Sequence, residues 1–124
     1  MNTSADWLVA IVVLEHLYIL YIEMFSWTKA GRRVFKGTLP DELFEHTKGI
    51  AANLGLYNGF LAAGLIWSYF AETPEWSTQI RIFFLGCVIM AALFGAFRSS
   101  PMILLKQGLP AILAMAAVLV HAYL

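Results

Sequence analysis

Leu14-Glu15-His16-Leu17-Tyr18-Ile19-Leu20-Tyr21-Ile22-Glu23-Met24-Phe25 is the stretch whose reading decides the fold. It lies inside an otherwise apolar run from Trp7 to Trp27, long enough for a hydrocarbon core that takes about 20 helical residues to cross. The tryptophans at either end suit the two interfaces. Yet the run carries two carboxylates, an imidazole and two phenols. A charged group at mid-bilayer costs about 2.5–3.5 kcal/mol on insertion scales, so such residues face other helices or water. At about 100° per residue, His16 and Glu23 fall within roughly 20° of each other, with Glu15 and Tyr18 on a neighbouring stripe. This is a membrane helix with one polar side, and it requires neighbours.

The rest of the chain can supply them. Of 124 residues, 60% are hydrophobic and 13% charged, with a mean hydropathy of +0.73. Soluble domains carry about 25% charged residues, so the chain belongs among membrane proteins, as one integral membrane domain over residues 1–124. A formal net charge of zero argues against a nucleic-acid partner. The single cysteine, Cys87, excludes an intrachain disulfide and reads as a small buried apolar residue. The first run is expected to be a retained helix rather than a signal peptide. Asp6 makes its start acidic, Glu15 and Glu23 interrupt it, and no small-residue cleavage site follows.

Four helices are expected, over about 7–27, 41–70, 79–97 and 102–123. Pro40 followed by Asp41-Glu42 fits a helix N-terminus, since acidic groups favour the positive end of the macrodipole. In the second helix, Asn53 and Tyr57 share one face, while Gly55 and Gly59 form a G-x-x-x-G packing face on another. Ala71 to Thr78 reads as a short polar turn, and Arg98-Ser99-Ser100-Pro101 as a tight one. Pro110 removes one backbone bond from the fourth helix and is expected to kink it. Basic residues cluster in the first connection and its flank (Lys29, Arg32, Arg33, Lys36, Lys48) and around the third (Arg98, Lys106), against Arg81 alone on the other side. The positive-inside rule then puts both termini outside the cytoplasm of a bacterial inner membrane.

The fold class expected is therefore all-α, a four-helix transmembrane bundle that self-associates. Glu15 and His16 are the candidate catalytic residues, as an acid–base pair near mid-bilayer. Glu23, Asn53, Tyr57, Asn58 and Gln107 are candidate ligand-binding residues, each of which has a plainer role as glue between helices. No metal site is expected: His16, His46 and His121 are scattered, without paired ligand spacing. Haem ligation by a lone His16 has weak support, and no cofactor is named.

The segments Leu14 to Phe25, Asn53-Leu54-Gly55-Leu56-Tyr57-Asn58-Gly59-Phe60-Leu61-Ala62-Ala63-Gly64 and Gln107-Gly108-Leu109-Pro110-Ala111 resemble the small bacterial membrane family DUF1304, a domain of unknown function. The resemblance covers nearly the whole chain and implies four membrane helices without a stated activity. Glu45 to Asn53, followed by Gly64-Leu65, is similar to the second helix of the membrane-associated eicosanoid and glutathione metabolism (MAPEG) proteins, four-helix trimers that bind glutathione between subunits. Where that family carries arginine and glutamate, this chain has Gly49 and Leu56. The similarity therefore implies topology and a trimer rather than the glutathione site.

Three functions stay open on this reading. One is an intramembrane enzyme or binder acting on a lipophilic small molecule, with Glu15 and His16 as acid–base groups and Asn53, Tyr57 and Gln107 orienting the ligand. Another is a structural or accessory membrane protein, and the third a small proton-linked transporter using Glu15 and Glu23.

Overall fold

The computed structural model describes residues 3–98 and 101–124. No strand occurs among them, and the expected turn at Ser99-Ser100 lies outside the described residues. Helix α1 spans Thr3–Phe25, starting earlier than its hydropathy suggests because Asp6 in the first turn suits the positive end of a helix. It stops before Trp27 because Ser26 leaves helical geometry, at φ −144°, and its hydroxyl accepts the Ala30 amide at 3.2 Å. A widened turn, π1 (Trp27–Gly31), follows, then α2 (Arg32–Val34) and a turn at Gly37, whose φ of +89° a side chain would strain.

The second expected helix is broken in two, α3 (Leu43–His46) and α4 (Lys48–Ser68). The break is at Thr47, whose hydroxyl donates to the Leu43 carbonyl at 2.8 Å and accepts the Trp27 indole N–H at 2.8 Å. Side-chain bonds of this kind compete with the helical ladder. Trp27 also packs on Phe35 and Phe44, and Arg32 pairs with Asp41 at 2.8 Å, so the basic connection folds as a plug over one end of the bundle.

Helix α5 spans Pro74–Arg98, starting inside the expected turn. The Thr73 hydroxyl accepts the Trp76 amide at 3.2 Å as an N-cap, and Pro74 fills a first-turn position where its missing N–H costs nothing. The last rod runs Pro101–Tyr123 as α6 (Pro101–Ile103), π2 (Leu104–Gly108) and α7 (Leu109–Tyr123). Pro110 has no amide hydrogen for the Lys106 carbonyl and its ring crowds that position. The turn before it widens, and the Leu109 amide bonds five residues back to Leu104. The expected disruption takes the form of a π-helical turn.

Helices α1, α4, α5 and α7 close a ring in which each packs on two neighbours, α1 on α4 most extensively. The core is narrow and small-sided: Val9 and Val12 of α1, Ala62 of α4, Val88 of α5 and Ala114 of α7 are all inaccessible. Gly55 and Gly59 permit the tight α1–α4 contact. A Cβ on Gly55 would fall 2.7 Å from Met24 Cγ and 3.2 Å from the Leu20 carbonyl oxygen, and one on Gly59 2.6 Å from a Leu20 methyl. Gly64 receives the Phe84 ring of α5 in the same way. Only 28% of the most apolar stretch of α1, α4 and α5, and 22% of that in Pro101–Tyr123, is buried. Helices apolar all round and mostly uncovered need an apolar solvent, and all four are long enough to cross a bilayer.

Candidate functional site

Glu15, His16 and Glu23 of α1 lie in three different surroundings. His16 is fully buried where α1 faces π2. Its Nδ1–H donates to the Val12 carbonyl one turn back at 2.9 Å, which leaves the Nε2 lone pair to accept the Gln107 amide at 3.1 Å. This is a neutral imidazole with both nitrogens in use. The widened turn in front of Pro110 carries Gln107 at the point where it meets His16, so the backbone irregularity and the hydrogen bond belong together.

Two turns on, Glu23 is 9% exposed and accepts the Asn58 carboxamide N–H at 2.7 Å, while the same Asn58 nitrogen reaches the Leu54 carbonyl at 3.2 Å. The glycine contact that brings α4 against Glu23 makes this short bond possible. Glu15 differs from both. It is half-buried, and its Oε1 is shielded without a hydrogen-bond partner among the described residues. A buried carboxylate oxygen left unmatched is costly, and in native proteins it calls for a reason.

The seven residues singled out from sequence are thus divided. The structure brings His16 to Gln107 and Glu23 to Asn58, and leaves Glu15 in neither pair. It does not bring Asn53 or Tyr57 to them: both are exposed on α4, Tyr57 at 55%, with Tyr57 edge-on to Phe60. Among the described residues no group of three or more His, Cys, Asp or Glu is placed to hold a metal.

One polar cluster escapes a sequence reading altogether. Arg81, whose side chain is 9% exposed, donates to Asp6 Oδ1 at 2.8 Å and to the Ser68 hydroxyl at 2.9 Å. Its guanidinium lies 4.6 Å from the centre of the Tyr69 ring, and the Tyr69 hydroxyl donates to the Asp6 backbone carbonyl. Burial raises the Tyr69 phenol above its ordinary pKa, with Arg81 pulling the other way. This clasp ties α1, α4 and α5 at the end of the bundle opposite the basic plug. Its sequence signals were Arg81 as the lone basic residue on its side and an acid in the first turn of α1.

Comparison with known proteins places the chain. A family model described as "Protein of unknown function (DUF1304)" matches residues 10–119. The chain belongs to the DUF1304 family. It is also similar to the uncharacterized protein YpaA of Lactococcus lactis subsp. lactis (strain IL1403), 34% identical over 106 residues, or 85% of this chain and 87% of that protein. No solved structure matches. The resemblance to MAPEG proteins therefore rests on the quoted residues alone. The DUF1304 match takes in Glu15, His16, Glu23, Asn58 and Gln107, and begins after Asp6 of the clasp.

Proposed function

We propose that this DUF1304 protein is an integral protein of the bacterial inner membrane that binds a lipophilic small molecule beside α1, with Glu15 as its polar anchor. One observation carries the reading: Glu15 Oε1 is buried and unmatched in the middle of an apolar helix. A ligand O–H or N–H delivered through the bilayer would satisfy it, and catalysis would follow if that proton were also transferred. His16 is a positioning residue here. With both ring nitrogens engaged it fixes α1 against π2, and so fixes where the Glu15 carboxyl sits. Asn53 and Tyr57, on the uncovered face of α4, support self-association with further copies of the chain, because amide groups are poorly solvated by lipid.

Native mass spectrometry of the protein released gently from its own membrane tests this, with wild type beside Glu15→Gln. The expected result is a small bound molecule on wild type, absent from a variant of unchanged subunit number. A clean oligomer in both samples overturns the reading in favour of an accessory role. That second reading has its own support, since His16–Gln107 and Glu23–Asn58 are closed pairs that hold helices together.

A further inference from the structure

At the end of the bundle that carries the clasp, α4 and α5 leave a slot between them. Trp67 and Ala71 line it from the exit of α4, Trp76 and Ile80 from the first turns of α5, and Glu72 from the connection. Its volume, about 350 Å³, falls in the range of small-molecule sites. Ile80 is buried at 6% exposure, whereas the indoles stand 55% and 60% exposed, so the aromatic surfaces are open to an incoming group. Two tryptophans at this depth would by themselves be interfacial anchors. Glu72 is what anchoring leaves unexplained. It is exposed, and no ion pair engages it among the described residues; Arg81, one turn beyond Ser77, is held by Asp6 and Ser68.

We infer that this slot binds an alkylated ammonium group, the cation lying between the indoles of Trp67 and Trp76 with Glu72 as counter-charge. Indole faces attract such cations more strongly than other aromatic rings do, and quaternary ammonium groups, too weakly hydrated to be held by water, are the usual occupants of aromatic-walled sites. The carboxylate adds charge complementarity that a neutral apolar ligand would not use. The chemistry is shared by free organic cations and by the choline headgroup of a lipid, both of which reach the membrane rim. The inference does not depend on Glu15, which lies on α1 about 13 Å along the helix from Asp6 of the clasp, at 1.5 Å per residue.

The test uses the full chain in nanodiscs of phosphatidylglycerol, titrated with tetraethylammonium and read by the indole N–H resonances of its tryptophans. Saturable shifts are expected at Trp67 and Trp76 and not at Trp7 or Trp27. Trp67→Leu should weaken binding by roughly three- to thirtyfold, the span of cation–π strengths, and Glu72→Gln, which removes the counter-charge, should weaken it as well; both are changes at exposed positions. Choline should bind and its neutral isostere 3,3-dimethylbutanol should not, and Glu15→Gln should bind as wild type does. Including phosphatidylcholine separates the sources: competition identifies the lipid headgroup, and unchanged binding a free cation. Absent shifts, equal binding of the neutral alcohol, or wild-type affinity in both variants would overturn the inference.

Discussion

The clasp at the rim and the seam at mid-helix both put polar groups between apolar helices, about 15 Å apart along α1 from Asp6 to His16. They meet the cost of burial by different means. At the rim a full positive charge is matched by a full negative one, and Ser68 and Tyr69 take up further hydrogen-bonding capacity. At the seam His16 meets the Gln107 amide as a neutral imidazole, and nearer the other end of α1 Glu23 accepts the Asn58 amide. The full ion pair sits at the rim, where water is within reach, and the neutral His16–Gln107 pair at mid-helix, where it is not. An uncompensated charge is dearest in the centre, so the arrangement follows the depth dependence of desolvation. Glu15 is the exception to both solutions.

Breaking the clasp should have the largest effect. Asp6→Ala leaves Arg81 buried without a counter-charge, and a loss of about 3–5 kcal/mol is expected. Unfolding in a mild detergent series measures it. Asp6→Leu with Arg81→Met should recover most of that loss, because well-packed apolar replacements of buried ion pairs are often neutral. Failure of the double variant to recover would mean that the clasp does more than balance charge.

The seam should respond less. Gln107→Leu strands His16 Nε2, and a double-mutant cycle with His16→Leu should return a coupling of about 0.6–1.7 kcal/mol, from the mean to the maximum measured for interhelical bonds in membranes. A coupling as large as the clasp's would erase the distinction drawn here. Glu15→Leu should change least in the ligand-free protein. Removing an unmatched polar atom costs no hydrogen bond, so the midpoint should stay within about 0.5 kcal/mol of wild type or rise. A clear loss there would reveal a partner for Glu15 and make the seam uniform.

The contrast also shows what can be read in a sequence. The four spans follow from hydropathy, and the shared face of His16 and Glu23 follows from helical geometry; both residues are buried as that predicts. The Gly55–Gly59 face packs as its spacing suggests. Such features are periodic within one helix. The Asp6–Arg81 bond joins residues 75 positions apart and depends on how α1 and α5 lean together, which no local pattern records. Asn53 and Tyr57 face outward for a related reason: α5 meets α4 at Gly64, near the end of α4, and helix-face arithmetic does not say which face a neighbour covers. The start of α5 escapes a reading of Ala71 to Thr78 as a turn, although Thr73-Pro74-Glu75 is a cap, a first-turn proline and an acid in order. Averaged hydropathy conceals it because the first turn is polar.

The chain order of the paired residues sets a timetable for assembly. During synthesis the N-terminal segments emerge first, and α1 can dock on α4 through Gly55 and Gly59 as soon as residue 68 has appeared, closing Glu23 on Asn58. Asp6 must then wait for Arg81, and His16 for Gln107. The helical hairpin made first therefore leaves the ribosome with two open polar ends, one at its rim and one along its side, and each is closed by a later arrival. A nascent chain stalled between α4 and α5 would expose both at once.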